Sequence, residues 1–116
     1  MPTIYTGIVA RGAQRGTALG FPTANIALTD ASVSGIYAAK VSVDSETFHA
    51  AAFADPKRNV LEAYMLDFSG NLYDKEITIE LCEKIRESDM FADERELRAA
   101  IAKDVEDVRH YFKDHP

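Results

Sequence analysis

Apolar and polar residues alternate with the two-residue period of β-strands along most of this chain, then change to a helical period near its end. Residues 3–10, TIYTGIVA, read as a first strand. Residues 11–27 are glycine-rich and predict irregular backbone, and 28–34 are turn-like. From Gly35 the alternation is clear, with Tyr37, Ala39, Val41 and Val43 on one face and Ala38, Lys40, Ser42 and Asp44 on the other. A polar turn at 44–46 leads to a return strand from Thr47 to Phe53, and ADPKRN at 54–59 breaks the pattern as a loop. Val60 to Asp67 predicts another strand, with Val60, Glu62, Tyr64 and Leu66 on one face and Leu61, Ala63, Met65 and Asp67 on the other. Ser69-Gly70-Asn71 is a hairpin-turn signal, and Leu72 to Cys82 predicts the returning strand. Asp93 with Glu96 three residues later predicts a helix start, and Leu97, Ile101, Val105, Val108 and Phe112 follow at helical spacing.

Five or six strands joined by short turns, followed by one helix, predict an antiparallel barrel or sandwich and exclude a βαβ dinucleotide fold. The 116 residues suit a single domain over 1–116. A hydrophobic content of 47% with 28% charged residues is that of a soluble globular protein. The net charge of −6 argues against a general nucleic-acid or anionic-membrane surface, while leaving a local glycine-rich loop able to bind phosphate. Cys82 is the single cysteine, which excludes an intrachain disulfide and a thiolate zinc cluster and suggests a reducing, cytoplasmic setting. No leader and no apolar run long enough to span a bilayer is read from the sequence, and a monomer is expected.

Chemistry concentrates in two places. Gly7, Gly12 and Gly16 precede the word Leu19-Gly20-Phe21-Pro22-Thr23-Ala24-Asn25. Glycine lets backbone approach a ligand closely, Pro22 fixes one φ, and Thr23 and Asn25 supply two uncharged oxygen donors suited to a phosphate-bound metal. The same four residues Pro22 to Asn25 also read as an ordinary turn in which Asn25 bonds its own backbone. Glu62 is the second place: a carboxylate among Val60, Tyr64 and Leu66. Deprived of solvent there it is a stronger proton acceptor; on an edge strand it is a surface residue. His49, His110 and His115 match no metal spacing, and Cys82 reads as a small apolar filler rather than a nucleophile. Lys84 and Arg86 lie between a strand and the helix, available to a ligand or to solvent.

In order along the chain these segments resemble the riboflavin kinase (flavokinase) family. The resemblance runs through GIVARG at 7–12, RGTALGFPTAN at 15–25, GIYAAKV at 35–41, LEAYMLDF at 61–68, LYDKEITIEL at 72–81 and KIRE at 84–87. It ends with Phe91, ELRAAIAKDV at 96–105 and Tyr111-Phe112. The resemblance implies a six-stranded antiparallel Greek-key barrel with a C-terminal α-helix, and transfer of the ATP γ-phosphate to the ribityl 5′-hydroxyl of riboflavin. It implies Glu62 as general base and Thr23 and Asn25 as ligands of Mg²⁺. Gly12, Gly16, Gly20, Thr23, Asn25 and Tyr73 would surround the nucleotide phosphates, and Ile79, Cys82 and Arg86 the flavin. Two departures stand out. Residues 54–59 are several residues shorter than the family's glycine-rich loop, and Asp74 stands where glycine is usual; both motivate an alternative, a non-catalytic flavin- or nucleotide-binding barrel. The family's domain is often fused behind an adenylyltransferase with an H-x-G-H-type site. No such module is read here, so FAD synthesis by this chain is not expected.

Overall fold

The computed structural model describes residues 3–10, 23–68, 72–87 and 93–115. Six strands, β1 (Thr3–Ile8), β2 (Thr23–Ala27), β3 (Gly35–Val43), β4 (Glu46–Asp55), β5 (Val60–Met65) and β6 (Glu76–Arg86), precede one helix, α1 (Glu94–Asp114). All pair antiparallel in one sheet of order β1-β6-β3-β4-β5-β2. β3, β4 and β5 are consecutive neighbours and β6 returns beside β3, which is the Greek-key arrangement. The expected architecture is therefore the observed one.

The turns follow from local backbone rules. Asp44 and Ser45 both have positive φ (51° and 70°) between the paired residues Val43 and Glu46. That is the two-residue hairpin loop whose twist matches the flanking strands. Gly35 has φ 102°, and a Cβ there would stand 2.6 Å from the Arg86 carbonyl oxygen, so β3 can enter the sheet at that point only through glycine.

The curled sheet buries both faces. Inside lie Ala24, Ile26, Ala39, Val41, Leu61, Ala63, Met65, Ile77 and Ile79. Outside, α1 lays Ile101, Val105, Val108 and Phe112 over Ala38, Ala51, Tyr64 and Leu66. Ala38 and Ala51 are register partners, and their small side chains let the helix approach closely. Burial of the four helix side chains contributes roughly 1.5–3 kcal/mol each. Asp93 caps the helix by accepting the Glu96 backbone N–H at 3.0 Å, as expected from the sequence.

β1 and β2 are the sheet edges, and curling brings them together. Ala10 N–H donates to the Asn25 carbonyl at 2.8 Å, and a Cβ on Gly7 would lie 3.1 Å from the Ile26 Cβ. Tyr5 of β1 donates to Asp30, beyond β2, at 2.8 Å.

Several expectations need correction. Thr23–Ala27 is a paired strand, not irregular backbone, because its alternation of Ala24 and Ile26 inward finds β5 as a partner. The final strand begins at Glu76 rather than Leu72 and runs to Arg86, so Lys84 and Arg86 belong to it rather than following it. Leu72 to Lys75 instead form a turn closed by Lys75 N–H to the Leu72 carbonyl, 3.1 Å. β4 extends to Asp55, leaving a tight connection to Val60. The Ser69-Gly70-Asn71 turn lies outside the described residues.

Candidate functional site

Pairing of β2 with β5 sets Thr23 opposite Tyr64 and Asn25 opposite Glu62. Residues two apart on a strand share a face, so these four side chains occupy one patch on the outer face of the sheet. Thirty-seven positions separate Asn25 and Glu62 in the sequence, and only the long-range pairing of β2 with β5 makes them neighbours. On its other side Glu62 is the register partner of Phe53.

Glu62 is 2% exposed and Asn25 4% exposed. The surface reading of Glu62 and the turn reading of Asn25 are thus both set aside. β5 is flanked by β2 and β4 and so is not an edge strand. A buried carboxylate persists only with polar partners, and Tyr64 Oη donates to Glu62 Oε1 at 2.9 Å. Among the described residues no buried side-chain nitrogen or oxygen lacks a partner.

The β4–β5 connection carries a cation toward this patch. Asp55 accepts the backbone N–H groups of Lys57 and Arg58 and pairs with the Arg58 guanidinium at 2.6 Å. Burial acts to raise the Asp55 carboxyl, but its bonds from Arg58 and Lys57 outweigh that and hold it below its ordinary range. The bond to Asp55 also raises Arg58, against a smaller opposing effect of burial, and the fields of Asp55 and Glu62 add to the rise. Asn59 takes positive φ (57°) and its carbonyl accepts Leu28 N–H at 2.9 Å. Residues 56–59 therefore form a structured turn after β4, tied to β2's exit.

Segment 11–22 leaves from Ala10, bonded to Asn25, and re-enters at Thr23. Gly12, Gly16, Gly20 and Pro22 lie outside the described residues. Tyr73 is half-buried in the turn that grips Val9: Asp74 N–H donates to the Val9 carbonyl (3.0 Å) and Val9 N–H to that of Lys75 (2.8 Å). Both ends of the glycine-rich segment and the Tyr73 turn thus converge on one end of the seam. Asp74 has φ 68°, the conformation that glycine adopts at no steric cost.

Ile79 lies on the opposite face of β6 from Cys82 and Arg86. Ile79 is fully buried in the barrel interior, between Tyr5 and Val41 in register. Cys82 faces outward under α1, where burial pushes its thiol up and disfavours the thiolate. Arg86 also faces outward and forms a bidentate pair with Asp104 of α1, both bonds 2.8 Å. His49 stacks on Phe112 at 3.8 Å, and no group of His, Cys, Asp or Glu among the described residues is arranged to hold a metal.

Two site-related residues escaped the sequence reading. Tyr64 was visible two positions after Glu62 on the same face, but its hydroxyl contact was not. Asp104 is 2% exposed and sits between Ile101 and Val105 on the apolar face of α1, where a charged residue signals a buried partner.

The family model for flavokinase, described as riboflavin kinase, matches residues 1–112. A bifunctional riboflavin kinase/FMN adenylyltransferase of Haemophilus influenzae is 36% identical over 115 residues, covering 91% of this chain and 37% of that protein. A trifunctional protein RibF/MnmA of Mycoplasmoides gallisepticum is 35% identical over 120 residues, covering 96% and 18%. The chain therefore spans well under half the length of these relatives. Among solved structures, riboflavin kinase from Trypanosoma brucei superposes with a TM-score of 0.66 at 27% identity, covering 97% of this chain and 80% of that one. A protein of Streptococcus pneumoniae titled macrolide-efflux protein shares the fold, with a TM-score of 0.77 at 24% identity over 93% of this chain and 38% of that one. With a family model matched over nearly its whole length and a barrel of the same architecture, this chain belongs to the riboflavin kinase family.

Proposed function

We propose that this domain phosphorylates riboflavin, transferring the γ-phosphoryl group of ATP to the ribityl 5′-hydroxyl to give FMN and ADP. The observation that carries the reading is the buried Glu62 set in register against Asn25, in a chain of this family. Glu62 accepts the hydroxyl proton as the oxygen–phosphorus bond forms and the bond from the γ-phosphorus to the bridging oxygen breaks, leaving ADP. Thr23 and Asn25 are uncharged oxygen donors beside that carboxylate, a set that fits a hard divalent cation. Mg²⁺ held there would neutralise phosphate charge. Burial of the patch strengthens these interactions, since charge is screened less away from water.

The non-catalytic alternative is not favoured. The short region 54–59 ends β4 and closes in a bonded turn that brings Arg58 toward Glu62, and Asp74 adopts the backbone conformation a glycine would supply. A cytoplasmic monomer acting on ATP and riboflavin completes the proposal. Incubation with riboflavin, ATP and Mg²⁺ is expected to yield FMN, resolved from riboflavin by chromatography with fluorescence detection. Saturable flavin binding with no FMN formed under any metal tested would replace this reading by the binding one.

A further inference from the structure

We infer that Tyr64 is the positioning residue for Glu62, and that through it the C-terminal helix fixes the direction of the catalytic carboxylate. The inference rests on the kinase reading above. Glu62 and Tyr64 lie two apart on β5 and so point to the same face, roughly 7 Å apart along the strand. The Tyr side chain is long enough to span that distance, and its hydroxyl donates to Glu62 Oε1 at 2.9 Å. A bond to an ionised acceptor is shorter and stronger than a neutral one and restricts rotation of the carboxylate.

The tyrosine's placement is assigned to the outer cluster that α1 completes. Tyr64 is 4% exposed and belongs to the outer apolar cluster with Ala38, Ala51, Ile101, Val105 and Val108. Its ring lies in the same buried cluster as the inward side of α1, while its hydroxyl reaches Glu62. Ring orientation is therefore set by α1 packing and carboxylate orientation by the ring. A strand alone would not do this, because Glu has three side-chain torsions and β5 fixes only the Cα–Cβ direction. Proton acceptance requires the carboxylate oxygen within hydrogen-bond reach of the hydroxyl, and a displacement of about 1 Å at such a site can cost on the order of a hundredfold.

The test is a double-mutant cycle in riboflavin phosphorylation, using the whole chain. Tyr64→Phe keeps the ring and its packing but removes the bond. It is expected to lower kcat by roughly ten- to a hundredfold with KM for riboflavin and ATP changed less than about threefold, since orientation acts on the chemical step. In the Glu62→Gln background the same change is expected to cost less than about twofold, because the group it positions no longer accepts a proton. A merely structural tyrosine would instead give equal costs in both backgrounds. Thermal unfolding of each variant is followed in parallel, and Val108→Ala serves as a second probe that loosens the outer cluster without touching the bond. It is expected to lower kcat in the wild-type background and not in Tyr64→Phe. Active wild type with Tyr64→Phe at full kcat, or equal losses in both backgrounds, overturns this inference alone. A wild-type chain that forms no FMN overturns the kinase reading and this one with it.

Discussion

The proposed chemistry concentrates at one side chain, Glu62. It is buried, hydrogen-bonded by Tyr64 and register-paired with Asn25. Replacement by Gln keeps its shape and its ability to accept from Tyr64 but removes proton acceptance. Glu62→Gln is therefore expected to stay folded and to lose about two to four decades of FMN-forming rate, measured by steady-state kinetics beside a thermal melt. A near-normal rate would move the base elsewhere. Tyr5 gives a second single-residue expectation. Burial, then its bond to Asp30 and that carboxylate's charge, push its hydroxyl up to about 12 from an ordinary 10. The folded protein thus holds this proton more tightly than the unfolded chain does. The stabilisation is complete below pH 10 and is lost as pH rises from about 10 toward about 12. Tyr5→Phe is expected to remove that part of the alkaline loss, seen as a flatter denaturation midpoint against pH across this window.

The elements are held together by a few contacts that carry more than their share. The Arg86–Asp104 pair bolts α1 to the end of β6 through two bonds of 2.8 Å. The Asp104 side chain is 3% exposed and that of Arg86 30%. Breaking a buried pair by deleting one partner costs about 3–5 kcal/mol, and the partial exposure of Arg86 reduces that to roughly 2–3 kcal/mol. Asp104→Ala is expected to show this loss in urea unfolding with an unchanged m-value. A loss below about 0.5 kcal/mol would mean that solvent already screens the pair. The periodicity of α1 was legible in Leu97, Ile101, Val105, Val108 and Phe112, and so was its Asp93 cap, because both depend on spacing along one helix. The partner of Asp104 was not, because Arg86 reaches it only when β6 continues four residues past Cys82. β2 was missed for a related reason: five residues carry too short an alternation to announce a strand, and β5 supplies the pairing that makes one.

Across the barrel, protection from solvent is uneven. β3 is hydrogen-bonded on both edges and covered by the interior on one face and α1 on the other. The β1–β2 seam, by contrast, is bridged at Ala10 and Asn25 and leaves Ile4 and Ile8 of β1 exposed. Local opening is easiest where few buried contacts and few backbone bonds must be broken. In native-state hydrogen exchange the amides of Ala39 and Val41 are expected to exchange only with global unfolding, and that of Ala10 at least tenfold faster. Equal protection at both places would show that the barrel opens as a single unit. The seam is also where segment 11–22 departs and returns, so the site sits beside the least protected join of the fold.

Strand alternation, turn chemistry and the helical stripe were readable from residue order, since each depends on neighbours within a few positions. The words around Thr23 to Asn25 and Glu62 were readable too, as a resemblance. What order could not show is that Glu62 is buried, that Asn25 lies across from it, and that Tyr64 bonds it. Those facts depend on a sheet whose neighbours are β1-β6-β3-β4-β5-β2 rather than sequential. Burial and register across non-sequential strands are set by long-range strand pairing and by the packing of the whole fold. Local spacing supplied the parts of the site, and only long-range packing decided which of them touch.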